Sequence, residues 1–144
     1  MIQRIQTVFL VLAAACAFGL FGLPFATSAS EVSASSLFAD GVFDINDHVG
    51  LLGAFGLAGA LTLISIFLFK NRKTQLLLGR FGIIANVIGI VLVVVFFMQD
   101  AAAPTEPNDE LGIYLPVLFL VFAALAQRGI MKDEKLVKSM DRLR

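Results

Sequence analysis

Four apolar runs, residues 7–26, 50–69, 76–98 and 111–130, constrain this chain more than any other feature. A bilayer core is crossed by about 20 residues of helix, with a usual range of roughly 17–25, and each run meets that length. Hydrocarbon offers no water to backbone N–H and C=O groups, so such a run must close its hydrogen bonds within itself, as a helix. Between the runs lie a Ser-rich stretch (27–49), the tight "KNRKTQ" and the Pro-containing "QDAAAPTEPNDE" (99–110), and a tail (131–144) ends the chain. The expectation is an all-α, integral membrane four-helix bundle, a single domain over residues 1–144, with an amphipathic helical extension at the C-terminus.

Composition agrees. Of 144 residues 58% are hydrophobic and 15% charged, with a mean hydropathy of +0.89, and a soluble domain of this size needs more polar surface. The single Cys16 has no second cysteine to pair with.

The charges orient the runs. All eleven Lys and Arg fall at Arg4, at Lys70, Arg72, Lys73 and Arg80, and from Arg128 to the C-terminus. The two long connections hold no basic residue but eight of the eleven acids: Glu31, Asp40, Asp44, Asp47, Asp100, Glu106, Asp109 and Glu110. Basic residues flanking spans mark the cytoplasmic side. Both termini and the "KNRK" hairpin are therefore expected in the cytoplasm, and the acidic connections outside.

The opening "MIQRIQTVFLVLAAACAFGLFGLPFATSAS" has two readings. A charged residue, an apolar run and small residues at Ala29-Ser30 resemble a secretory signal peptide, cleavable near Ser28 or Ala29. Signal peptides carry an apolar region of about 7–15 residues, and the run from Val8 to Phe25 exceeds it, so the segment is expected to stay as the first span.

The head "MIQRIQ", the hairpin "LFKNRKTQ" and the tail "RGIMKDEKLVKSMDRLR" resemble an uncharacterised membrane-protein family of Bacteroidota catalogued as domain of unknown function 4293. The resemblance implies a retained first helix, four spans and a bacterial inner-membrane location. It brings no activity, cofactor or catalytic residue.

Few residues carry chemistry. Arg80 lies about 7 Å into the third run at 1.5 Å per residue, within reach of the headgroups by snorkelling, and Arg128 near the end of the fourth reads the same way. Both are candidate inner-interface anchors. In the third run Gly79, Gly82, Asn86 and Gly89 share one face, where small residues admit a neighbouring helix and an amide can bond across the seam. In the second, Gly53, Gly56 and Gly59, with Ala60, offer a similar surface, for packing or for a partner. Asp44 and His48 are spaced i, i+4 with Asp47 adjoining, but His48 is the only His for a zinc site that takes three protein ligands and an open position, and Asn46 or Asp47 reads as the N-cap of the second helix. On the tail, Leu136, Met140 and Leu143 share an apolar face suited to docking, and Glu134 and Lys138 form an i, i+4 pair.

No His, Cys or carboxylate constellation faces a common site, so an enzyme is not expected. Neither is a cofactor, a metal or a nucleic-acid partner. The expected function is a small accessory or structural subunit packing against a larger membrane complex, with the lipid bilayer and a membrane protein as partners. The alternative is a self-associating channel or small-solute carrier, with Asn86 lining the passage.

Overall fold

The computed structural model describes residues 2–31 and 33–141. Four helices dominate: α1 (Ile2–Gly19), α2 (Val49–Phe67), α3 (Arg72–Gln99) and α4 (Leu115–Asp141). Three of them are long and apolar enough to cross a membrane: α2, α3 and α4 together with the turn before it. The apolar part of α1, Ile5–Gly19, is shorter. The protein is a multi-pass membrane protein, and lipid contact is the natural environment of its apolar helix faces.

Each helix turns a stripe of alternating four- and three-residue spacing toward the bundle axis. On α1 it is Gln6, Leu10, Ala13, Ala17 and Leu20 (the last just beyond the helix), and on α2 it is Leu51, Phe55, Ala58, Thr62 and Ser65. On α3 Gln75, Gly79, Gly82, Asn86 and Gly89 are buried, and on α4 Phe119, Ala123, Ala126, Ile130 and Asp133. A spacing averaging 3.5 residues keeps one seam facing its neighbours, as in left-handed bundles. The mid-bundle layer is nearly all small: Ala13, Ala17, Ala58, Ala85 and Ala123 gather around Phe119. Close helix approach supplies the dispersion contact that hydrophobicity cannot supply in lipid.

The helices do not follow the apolar runs to their ends. The first run was expected to be helical to residue 26, yet α1 ends at Gly19. Phe21 N–H donates to Phe18 O and Gly22 N–H to Gly19 O, both at 3.1 Å, tightening the chain into a turn. Pro24 then lacks a donor and holds the residue before it extended. Phe25 leaves the turn extended, just ahead of the first strand, its N–H donating to Phe43 O at 2.8 Å.

The all-α expectation is amended at one end of the bundle. A three-stranded antiparallel sheet closes that end, formed by β1 (Ala26–Thr27), β2 (Val42–Phe43) and β3 (Asn108–Asp109) in the order β2-β1-β3. Ala26 pairs with Phe43 and with Asp109. The strand β1 thus ties both ends of the Ser-rich connection to the Pro-containing one. Gly41 turns the chain into β2 at φ +79°, a conformation that L side chains disfavour. Gly112 lies against the Pro24 carbonyl so closely that a Cβ there would meet it.

The Ser-rich connection is a folded cap. Leu37 and Phe38 are buried, and Phe38 sits 5.9 Å from Phe43 and 6.3 Å from Phe97, within a ring cluster that also joins Phe25 and Phe55. Burial of one such ring contributes about 1.5–3 kcal/mol. The Asp100 carboxylate, at the C-terminus of α3, pins this cap. Oδ2 accepts the Ser35 hydroxyl at 2.6 Å and the backbone N–H groups of Ser36 (3.1 Å) and Leu37 (3.2 Å). The Ser35 hydroxyl and these amides favour the ionised form and hold the Asp100 carboxyl below its ordinary 3.8.

Because the native value is depressed, the stabilisation from Asp100 is complete above 3.8 and is lost as pH falls through the lower native value. Thermal unfolding in detergent should show Asp100→Asn destabilised by roughly 1–2 kcal/mol at neutral pH. The variant should also lose part of the acid-side fall in stability seen for the parent.

Candidate functional site: the α3 seam and the polar layer

The α3 stripe is a row of seats. At Gly89 the Phe55 ring lies where a Cβ would be, 2.7 Å from its ideal position. Gly82 receives the Thr62 hydroxyl, 2.9 Å from such a Cβ, while that hydroxyl donates to Ala58 O at 2.8 Å. Gly79 receives the Gln127 side chain, whose Nε2 donates to Leu76 O at 3.3 Å. Between them Asn86, fully buried, donates from Nδ2 to Pro116 O at 3.0 Å. Its Oδ1 is the one buried side-chain polar atom without a partner among the described residues. Four positions of one helix thus receive α2 on one side and α4 on the other.

The second-helix candidates are placed differently. Of the expected residues Gly59 carries the tight contact: a Cβ there would stand 3.2 Å from Ala17 and from the tip of Phe18. Gly56 is half-buried, with the Phe21 ring 3.7 Å from its Cβ position, and Ala60 is half-buried beside it. Gly53 is exposed, with nothing within 4 Å of its Cβ position.

A polar layer lies further along the bundle from Asn86, toward the termini. Gln6 Nε2 donates to Asp133 Oδ2 at 2.6 Å, and both residues are buried. Arg72 Nη1 donates to the Asp133 carbonyl at 3.4 Å. Gly129 makes room for Gln6, whose Cγ lies 2.7 Å from a Cβ built there. Gln75 and Ser65 are buried at the same end, the latter donating to Thr62 O at 2.7 Å. Each of the four helices contributes, and two buried glutamines each rest on a glycine of another helix.

Sequence reasoning missed Gln6, Gln127, Gly129 and Asp133. The expectation left Asp133 in the tail, residues 131–144, with no role of its own. Instead α4 runs unbroken to Asp141, and the 4-3-4-3 stripe from Phe119 brings Asp133 onto the bundle face. That spacing is present in the sequence and could have found it.

The expected N-cap of α2 also needs correcting. Asp44 and Asp47 close a 3₁₀ turn, Ile45–Asp47, with a reciprocal capping box: Asp44 accepts from Asn46 N–H at 2.6 Å and Asp47 from Asp44 N–H at 2.7 Å. The helix then starts one residue later, with His48 as its cap. Nδ1 accepts from Gly50 N–H at 3.2 Å while the ring stacks on Phe96 at 3.9 Å. Arg80 and Arg128 are exposed on the outer faces of α3 and α4. Leu136 and Met140 are exposed on the last turns of α4, and Leu143 lies outside the described residues. The Glu134–Lys138 pair closes at 2.9 Å. Among the described residues no three His, Cys, Asp or Glu side chains gather around a point where a metal could sit.

Seats filled by neighbouring helices, a polar layer at one end and a folded cap at the other define a multi-pass membrane helical bundle. The chain belongs to the DUF4293 family, described as a domain of unknown function, whose family model matches residues 2–143. No curated protein and no solved structure matches it.

Gly89 and Asn86 separate packing from hydrogen bonding. Gly89→Val must displace the Phe55 ring and should destabilise the protein by about 1–3 kcal/mol. Asn86→Leu loses one membrane hydrogen bond, on average about 0.6 kcal/mol, and removes an unpaired oxygen, so it should lie within about 1 kcal/mol of the parent. Reversible unfolding in mixed micelles measures both, and a larger loss at Asn86 than at Gly89 would contradict the seat account.

Proposed function

We propose that the protein is a small accessory subunit of a bacterial inner-membrane complex. In this reading all four helices cross the bilayer, the first stays in place, both termini and the α2–α3 hairpin lie in the cytoplasm, and the cap faces outward. Retention of α1 is supported by its burial against α2 and α4 and by the Gln6–Asp133 bond. The orientation is supported by Lys70, Arg72 and Lys73 at one end of the bundle and by the wholly acidic charge of the connections at the other.

One observation carries the accessory role. The last turns of α4 leave Leu136, Val137 and Met140 uncovered at 49%, 44% and 69% exposure, at the bundle's polar end. Apolar side chains on the lipid-facing belt need no protein cover, whereas these lie among Lys132, Lys135 and Lys138. They offer a partner the i, i+4 anchors of a helix that docks in a groove. The buried polar groups meanwhile serve helix packing, so catalysis is not part of this reading. The rival reading, a self-associating channel or carrier, draws on the unpaired Oδ1 of Asn86.

Mild extraction of the native membrane followed by mass spectrometry should return a stoichiometric partner. Leu136→Ser with Met140→Ser should release that partner while the four-helix protein stays folded. Isolation of the chain as a pure homo-oligomer, unchanged by these substitutions, would contradict the proposal and favour the rival.

A further inference from the structure

Where the α2–α3 hairpin meets α4, a groove of about 640 Å³ opens. Lys70, Arg72 and Lys73 line it from the hairpin side and Lys138 from α4, with Glu134 the one carboxylate among the described lining residues. Glu134 is engaged by Lys138 at 2.9 Å, and Arg72 reaches the Asp133 carbonyl. Lys70 and Lys73 thus face the groove with no salt bridge among the described residues, and Glu134, already bound by Lys138, reaches Lys73 and Arg72 only through longer-range attraction. Phe69 and Val137 supply apolar wall beside the cations.

The electrostatics of this corner are unbalanced in one direction. The first turn of α3 carries Arg72 and Lys73 and no acidic residue. Helix N-termini already carry partial positive charge, so cations there raise the potential and an anion would relieve it. The depth is equally defined. The apolar helix α2 ends at Phe67, and the apolar part of α3 begins at Leu76. A groove between those residues lies at the level where hydrocarbon gives way to headgroups, and basic pockets between helices at that level suit phosphate-bearing lipids.

We propose that this groove binds the phosphate of an anionic phospholipid, with Lys70, Lys73, Arg72 and Lys138 around the phosphate and Phe69 and Val137 against the start of an acyl chain. The shared chemistry is a phosphate anion, and the source is the membrane rather than free phosphate. The binding needs no partner subunit, so it stands or falls separately from the accessory role.

The test uses the full chain in detergent, titrated with phosphatidylglycerol or phosphatidylcholine and read by native mass spectrometry. Phosphatidylglycerol should bind more tightly than phosphatidylcholine. Lys70→Gln with Lys73→Gln should weaken it roughly tenfold, given the contribution of each basic residue near an anionic surface. Lys132→Gln with Lys135→Gln, an equal loss of charge outside the groove, should weaken it by less than about threefold. Glu134→Gln should tighten it severalfold, a gain that misfolding does not produce. Equal affinity for the two lipids, equal loss in the two double variants, or no gain in Glu134→Gln would overturn the assignment. So would displacement of the lipid by inorganic phosphate at matched concentration, which would assign the groove to the free anion.

Discussion

An ion in hydrocarbon is expensive, and this bundle arranges its charges accordingly. A central Lys, Arg or Asp costs about 2.5–3.5 kcal/mol on insertion scales. Between Phe81 and Met98 on α3, and between Val49 and Phe69 through α2, there is no charged residue. The charges gather at two ends, and the ends differ in sign: the hairpin carries Lys70, Arg72 and Lys73 and bonds Asp133 of α4 through Arg72, whereas Asp100 and Glu110 bind the cap at the other. Once side chains are sorted in this way, the backbone between has only the helix as a way to satisfy its donors and acceptors. The remaining freedom lies in how four helices fit together.

That fit depends on small residues. Within its apolar run every helix is apolar nearly all round, so hydrophobicity does not tell the buried face from the lipid face there. Gly and Ala let the seam close, and polar residues mark it because lipid is the worse alternative for them. The α3 seam was therefore legible: Gly79, Gly82, Asn86 and Gly89 stand out against Ile, Val and Leu. On α2 the same rule pointed to Gly53, Gly56, Gly59 and Ala60 alike, whereas the tight contact is at Gly59 alone and Gly53 faces outward. A glycine on every third position leaves the choice of face to the partner helix, and the partner's Ala17 and Phe18 make it.

The number of helices and their order could be read from run length alone, but their ends could not. Apolarity continues past Gly19 through Leu20, Phe21 and Phe25, and a hydropathy reading carries the helix with it. Turn chemistry at Gly19, Gly22 and Pro24 ends it instead, and those apolar residues serve the cap. The cap itself was hidden because its core is non-local: Phe25, Phe38, Phe43, Phe55 and Phe97 come from well-separated stretches of the chain. The pairing of Gln6 with Asp133 was hidden for the same reason, since 127 positions separate the two halves of that hydrogen bond. Asp133 looked like a tail charge until the continuity of α4 placed it on the stripe.

The proposed sidedness puts the basic end inside and the cap outside. Single cysteines in a Cys16→Ala background, reacted with a membrane-impermeant maleimide in spheroplasts, read it directly. Cysteines at Ala39 and Ala101, both exposed in the connections of the cap end, should label in intact spheroplasts. A cysteine at Lys73, exposed in the hairpin, should label only after permeabilisation. Labelling at Lys73 with protection at Ala39 and Ala101 would contradict the account.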